Sequence, residues 1–120
     1  MGEKAYAGGM NIDIHAQNLE LNAPLRAFIE EKMGDLTHVL GDVGAASIRV
    51  EVGIPSNHHQ SGPIYYAEAN LNIGGNLLRA EAKNFDLHSA IVDVKDEMKI
   101  RIKKFKEKLQ EKQRQPVPEE

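Results

Sequence analysis

Lys95, Lys99, Lys103 and Lys106 recur at steps of four, four and three, and Arg101, Lys104, Lys108 and Lys112 recur at three, four and four. At about 100° per residue each set forms one line along a helix. Two lines of cations can neutralise a run of phosphates, so a polyanion is the ligand they suit best. Between them run Leu87, Ile91, Val94, Met98, Ile102, Phe105 and Leu109, a narrow apolar stripe, while Asp93, Asp96, Glu107 and Glu111 gather on the far side. If the stripe packs on a sheet, the cations rim the domain. The plainer alternative is that these lysines lay their stems over the core and serve solubility.

Other chemistry is thin. His58 and His59 form the one adjacent histidine pair, in a stretch from Pro55 to Pro63 with no cysteine or carboxylate. A metal there would need ligands from elsewhere, and the expectation is a mobile polar loop with no metal and no cofactor. His15, His38 and His88 fall in separate elements, and nothing pairs a nucleophile with a base. His88 enters the first turn of the long helix, where it could stack on or hydrogen-bond to a ligand. Gly74-Gly75 stands between two strands and not before a helix, so it is no phosphate loop. Glu30-Glu31 and Asp96-Glu97 lie beside basic residues on helices, where charge pairing accounts for them. No enzymatic activity is expected.

The formal charge of -3 conceals an asymmetry: residues 1–94 hold 6 Lys/Arg against 12 Asp/Glu, whereas residues 95–114 hold 9 against 4. A modestly acidic chain thus carries one concentrated basic element. The chain has 120 residues and no cysteine, enough for one domain that folds without disulfides or thiolate metal sites. No apolar run is long enough to span a bilayer and no signal-peptide core stands at the N-terminus, which suits a soluble cytoplasmic protein.

Residues 1–9 show little apolar pattern and are expected to be a flexible leader or a cloning remnant, with Met10 readable as the original start. From Met10 to Leu21, Ile12 and Ile14 alternate with polar residues in a first strand. Asn22 and Pro24 open a helix carrying Leu25, Phe28, Ile29, Met33, Leu36 and Leu40 on one face, ended by Gly41 and Gly44. Gly34 inside it costs roughly 1 kcal/mol relative to Ala, which packing must supply. Ala46 to Ile54 and Ile64 to Ile73 alternate as strands, Gly74-Gly75-Asn76 turns a hairpin, and Leu77 to Lys83 returns. Asp86 caps the long helix, drawn to Lys112, and residues 113–120 are expected to be a disordered tail.

The order strand, helix, strand, strand, strand, helix predicts an α+β fold, βαβββα: a four-stranded mixed sheet with both helices on one face. The first two strands should be parallel with a right-handed crossover and the other pairings antiparallel. Arg49, Glu51, Tyr66, Glu68, Asn70, Asn72, Arg79 and Glu81 then face water on the other side. Arg26, Lys32, Arg79 and Lys83 add cations to those of the helix. Phe28 and Phe105 belong to apolar stripes, so Tyr66 is the one aromatic candidate for stacking on the outer sheet face. Binding should rest on phosphate and shape more than on base sequence.

Several phrases in order resemble the bacterial ribosome hibernation-promoting factors, also called ribosome-associated inhibitor or sigma-modulation proteins. They are Asn-Ile-Asp-Ile-His near the start, Leu-Asn-Ala-Pro-Leu-Arg-Ala-Phe-Ile at the first helix, Ala-Glu-Ala-Asn-Leu-Asn-Ile before the hairpin, and Asp-Leu-His-Ser-Ala-Ile leading into the lysine-rich helix. The resemblance covers about residues 10–112, the expected single ribosome-binding domain. It implies a fold resembling double-stranded-RNA-binding domains, seated in the small ribosomal subunit in the channel used by tRNA and mRNA, so that translation stops and idle ribosomes are preserved.

The family's rRNA-facing helix corresponds here to Lys95, Lys99, Arg101, Lys103, Lys104, Lys106 and Lys108, with Arg26, Arg79 and Lys83 as lesser transfers. The family commonly has Tyr at the position of His88 and Asp at that of Val92, so contacts that depend on those side chains are not carried over to this chain. The chain ends before a second, ribosome-pairing domain and so resembles the short forms, with the small subunit and its rRNA as partners and a monomer expected off the ribosome. The rival expectation is a protein-interaction module that uses the outer sheet face or a sheet edge and does not bind RNA.

Overall fold

The computed structural model describes residues 2–7, 10–43, 46–55 and 64–114. Alternation sets the sheet. In β2 (Met10–Gln17), β3 (Ala46–Gly53), β4 (Tyr65–Ile73) and β5 (Asn76–Asn84), every second residue is turned to one face, as a period of two requires, and all of these but Asn76 and Asn84 at the ends of β5 are apolar. Ile12, Ile14, Ile48, Val50, Ala69 and Leu71 on that face are at most 2% exposed. β2 and β3 are parallel, β3 and β4 antiparallel, and β4 and β5 antiparallel, as the element order predicts. Gly74 and Gly75 turn the β4–β5 hairpin with φ of 54° and 88°, a backbone region that glycine enters at little cost.

One strand departs from expectation. Residues 1–9 are expected from sequence to be a flexible leader or a cloning remnant, yet β1 (Gly2–Ala7) pairs antiparallel with β2 along Gly2↔His15 to Ala7↔Met10, so the sheet has five strands in the order β1-β2-β3-β4-β5. The physical reason is the open edge of β2: its backbone groups offer pairing to a neighbouring segment whether or not that segment carries an apolar alternation.

Asn22 caps α1 (Ala23–Gly34), accepting from the Leu25 N–H at 2.9 Å. The helix buries Leu25, Ile29 and Met33, spaced by four, against the sheet. The chain breaks at Asp35 and resumes as α2 (Leu36–Leu40), which buries Leu36 and Leu40, so the single helix expected here is two. Gly34 weakens the ladder at the break, and the Thr37 hydroxyl donates to the Gly34 carbonyl at 2.7 Å. Gly41, at φ 55°, ends α2; Gly44 lies outside the described residues. α3 (Leu87–Arg114) returns across β5 and β4 and buries Ala90, Ile91, Val94, Met98 and Ile102 in the same core that holds the α1 and α2 residues. Each large apolar side chain buried this way contributes about 1.5–3 kcal/mol.

Candidate nucleic-acid interface

Asp86 starts α3. Its carboxylate accepts from the Ser89 hydroxyl at 2.7 Å and the Ser89 N–H at 2.9 Å, and these bonds hold its pKa below the ordinary 3.8. From there the helix runs 28 residues, about 42 Å. Its apolar stripe is buried only as far as Ile102; Phe105 is half-buried, Leu109 is 36% exposed, and no described residue from Lys103 onward is buried. The last three turns therefore project beyond the sheet, and they carry most of the cations.

The ten cations singled out from sequence divide into three groups. Lys99, Lys103, Lys104 and Lys108, joined by Lys112, make no ion pair with another described residue, and all but the half-buried Lys99 are exposed. They line both flanks of α3, all but Lys99 on its projecting turns, which is the arrangement a phosphate run requires. A second group is already engaged. Lys95, its side chain only 13% exposed, lies 3.2 Å from Asp96, and Arg101 lies 3.2 Å from Glu97. The Lys106 ammonium donates to the Val39 carbonyl at 2.8 Å, at the C-terminal end of α2.

The third group lies off α3. Arg26 on α1 lies 4.0 Å from Glu30. Arg79 and the exposed Lys83 stand on the outer face of β5, across the sheet from both long helices. Arg79 reaches Glu68 at 2.9 Å and Glu81 at 3.0 Å. The structure thus gathers the α3 cations on one element and leaves Arg26, Arg79 and Lys83 on other surfaces.

Glu68 was expected to face water and is instead 8% exposed. Register sets it between Glu51 and Glu81 in adjacent strands, an opposition that is unfavourable without compensation. The compensation is three donors: Arg79, Asn70 at 2.9 Å and the Tyr66 hydroxyl. Tyr66, the stacking candidate, is thereby tied through its hydroxyl into the sheet's polar network. Sequence offered one signal for it, the spacing of Tyr66, Glu68 and Asn70 on one face; the contribution of Arg79 depends on the β4–β5 register.

His88 does stack, although within the chain: its ring meets Phe28 edge-on at 4.2 Å, and the Lys32 ammonium sits 5.4 Å from the Phe28 ring centre. Phe28 is accordingly half-buried at the α1–α3 junction. His58 and His59 lie outside the described residues. No helix among the described residues is long and apolar enough to cross a membrane.

Residues 12–110 match the family described as Sigma 54 modulation protein / S30EA ribosomal protein. A ribosome hibernation promotion factor from Staphylococcus aureus is 30% identical over 105 residues, which are 88% of this chain and 53% of that protein. One from Deinococcus radiodurans is 26% identical over 106 residues, 88% of this chain and 54% of the relative. The chain spans about half the length of the curated relatives it matches. Among solved structures, the N-terminal domain of Thermus thermophilus Protein Y superposes with a TM-score of 0.65 at 25% identity, covering 77% of this chain and 93% of that one. A ribosomal subunit interface protein from Coxiella burnetii shares the fold, with a TM-score of 0.63 at 18% identity over 79% of this chain and 96% of the other. With the family match spanning both long helices and strands β2 to β5, the chain belongs to the Sigma 54 modulation protein / S30EA ribosomal protein family.

Proposed function

We propose that the chain is a non-enzymatic, ribosome-binding inhibitor of translation that occupies the tRNA/mRNA channel of the small subunit and stabilises idle ribosomes. The observation that carries this reading is the projecting end of α3, where Lys103, Lys104 and Lys108 stand, like Lys99 just before it, without an ion pair to any described residue. Cations already paired gain little from a phosphate, because the existing partner must be given up; unpaired ones release the phosphate's counterions at no such cost. Family membership supplies the ribosome as the polyanion, since the relatives are named for ribosome hibernation. The projecting turns reach into a cleft more readily than they cover a flat surface, which suits a channel walled by RNA.

Cosedimentation with purified small subunits, with tRNA as competitor, tests the proposal. Binding that is lost to tRNA supports occupation of the channel. Binding indifferent to saturating tRNA rejects that location, and no binding at low salt rejects the ribosome as partner.

A further inference from the structure

His88 and Phe28 meet with ring centres 4.2 Å apart and ring planes at 78°. In such a contact the edge of one ring meets the other ring, so Phe28 covers at most one face of the imidazole. His88 is an exposed residue, and its remaining face meets solvent. The ring is also held in place. Asp86 and Ser89 fix the first turn of α3, to which His88 belongs, and Phe28 rises from α1, whose Leu25, Ile29 and Met33 are buried in the core. A ring ordered in advance, with one face open, costs a ligand little entropy to stack on.

His88 heads a line along α3 that steps by four, three, four and four through Val92, Lys95, Lys99 and Lys103. No carboxylate stands on this line. Lys99 and Lys103 make no ion pair with another described residue, and Lys32 brings a further ammonium to 5.4 Å from the Phe28 ring centre. About 16 Å of helix separates His88 from Lys99.

From this geometry we infer that the open face of His88 is a stacking platform for one unpaired base of the RNA whose phosphates follow Lys99 and Lys103. The inference names the ligand at one further position of the proposed ribosome-binding surface and rests on that reading. Unpaired bases can splay out and stack on an aromatic ring, imidazole included, whereas bases inside an A-form helix are out of reach. Such a stack needs only a ring face, so it tolerates any base and adds contact without adding sequence preference. Tyr66, the ring that sequence puts forward for stacking, stands on the outer face of the sheet, away from these lysines, with its hydroxyl bound to Glu68. His88 shares a line with the unpaired cations.

Equilibrium binding of the parent chain, His88→Phe and His88→Leu to purified small ribosomal subunits across a salt series tests this. Both variants keep an apolar side chain against Phe28, so a difference between them reads the ring and not the fold. His88→Phe retains a ring face without an ionisable nitrogen and should bind within about twofold of the parent. His88→Leu offers no ring face and should bind about 5- to 150-fold more weakly. The salt slope should stay that of the parent in both, because stacking releases no counterions. Parent-like binding by His88→Leu, weakened binding by His88→Phe, or a slope lowered in either variant would overturn the inference while leaving ribosome binding intact. A parent chain that does not bind at low salt would overturn the ribosome-binding reading and the inference with it.

Discussion

The Lys106 ammonium donates to the Val39 carbonyl at 2.8 Å, joining residues 67 apart in sequence. The bond satisfies a carbonyl at the end of α2, just before Gly41 ends that helix at φ 55°. A lysine that sequence places among RNA-facing cations is therefore a fastening between α2 and α3. Lys106→Met, which keeps the stem and removes the donor, is expected to destabilise by about 1 kcal/mol. Lys103→Met, on the exposed helix nearby, should stay within about 0.5 kcal/mol of the parent. Urea denaturation of both variants checks the contrast.

Gly53 closes the parallel pairing of β3 with β2. A Cβ built on it would stand 2.6 Å from the Gln17 carbonyl oxygen, a backbone atom held by the Ile54 N–H at 3.1 Å. Neither can withdraw cheaply, so Gly53→Ala should lower stability by about 1–3 kcal/mol, read as a fall in the thermal midpoint.

Arg79 compensates a carboxylate that the sheet has removed from water. Arg79→Ala leaves Glu68 with Tyr66 and Asn70 alone between two other glutamates, at an expected cost of about 1–3 kcal/mol. Adding Glu68→Gln removes the stranded charge and should recover most of the loss. A double-mutant cycle by denaturant titration separates this network from a general effect of losing an arginine.

Asp86 gives a pH signature. Its folded-state pKa lies below the ordinary 3.8 because Ser89 hydrogen-bonds the ionised form, so between the two values the folded chain binds fewer protons than the unfolded one. Its contribution is therefore present above about pH 3.8 and is lost as pH falls through the folded value. Thermal midpoints of the parent and Asp86→Asn should differ near neutrality and converge in acid.

Much of this fold is legible in the sequence because its strands are half-buried and its helices amphipathic. Ile48, Val50 and Val52, and Ala67, Ala69 and Leu71, announce both the strands and the face they bury. The stripe from Ile91 to Ile102 does the same for α3 and places its cations. What escapes is decided by other parts of the chain. β1 exists because β2 offers an edge, and nothing within Gly-Glu-Lys-Ala-Tyr-Ala says so. Whether a lysine is free or fastened depends on contacts such as Lys106 to Val39, and the burial of Glu68 depends on which residue of β5 arrives beside it. Sequence therefore identified the cation set, and packing sorted it into engaged and available members.

The measurement that bears most directly on the central claim is the salt dependence of small-subunit binding for the parent chain and for Lys99→Glu/Lys103→Glu/Lys108→Glu. These side chains flank or project beyond the core, so the variant should keep the parent's fold by circular dichroism. The parent is expected to bind with a steep inverse dependence on salt, each neutralised phosphate adding roughly 0.9 or less to the slope, and the variant to lose binding. A well-folded variant that binds as tightly as the parent, with an unchanged slope, would contradict the assignment of the projecting helix as the surface that meets RNA.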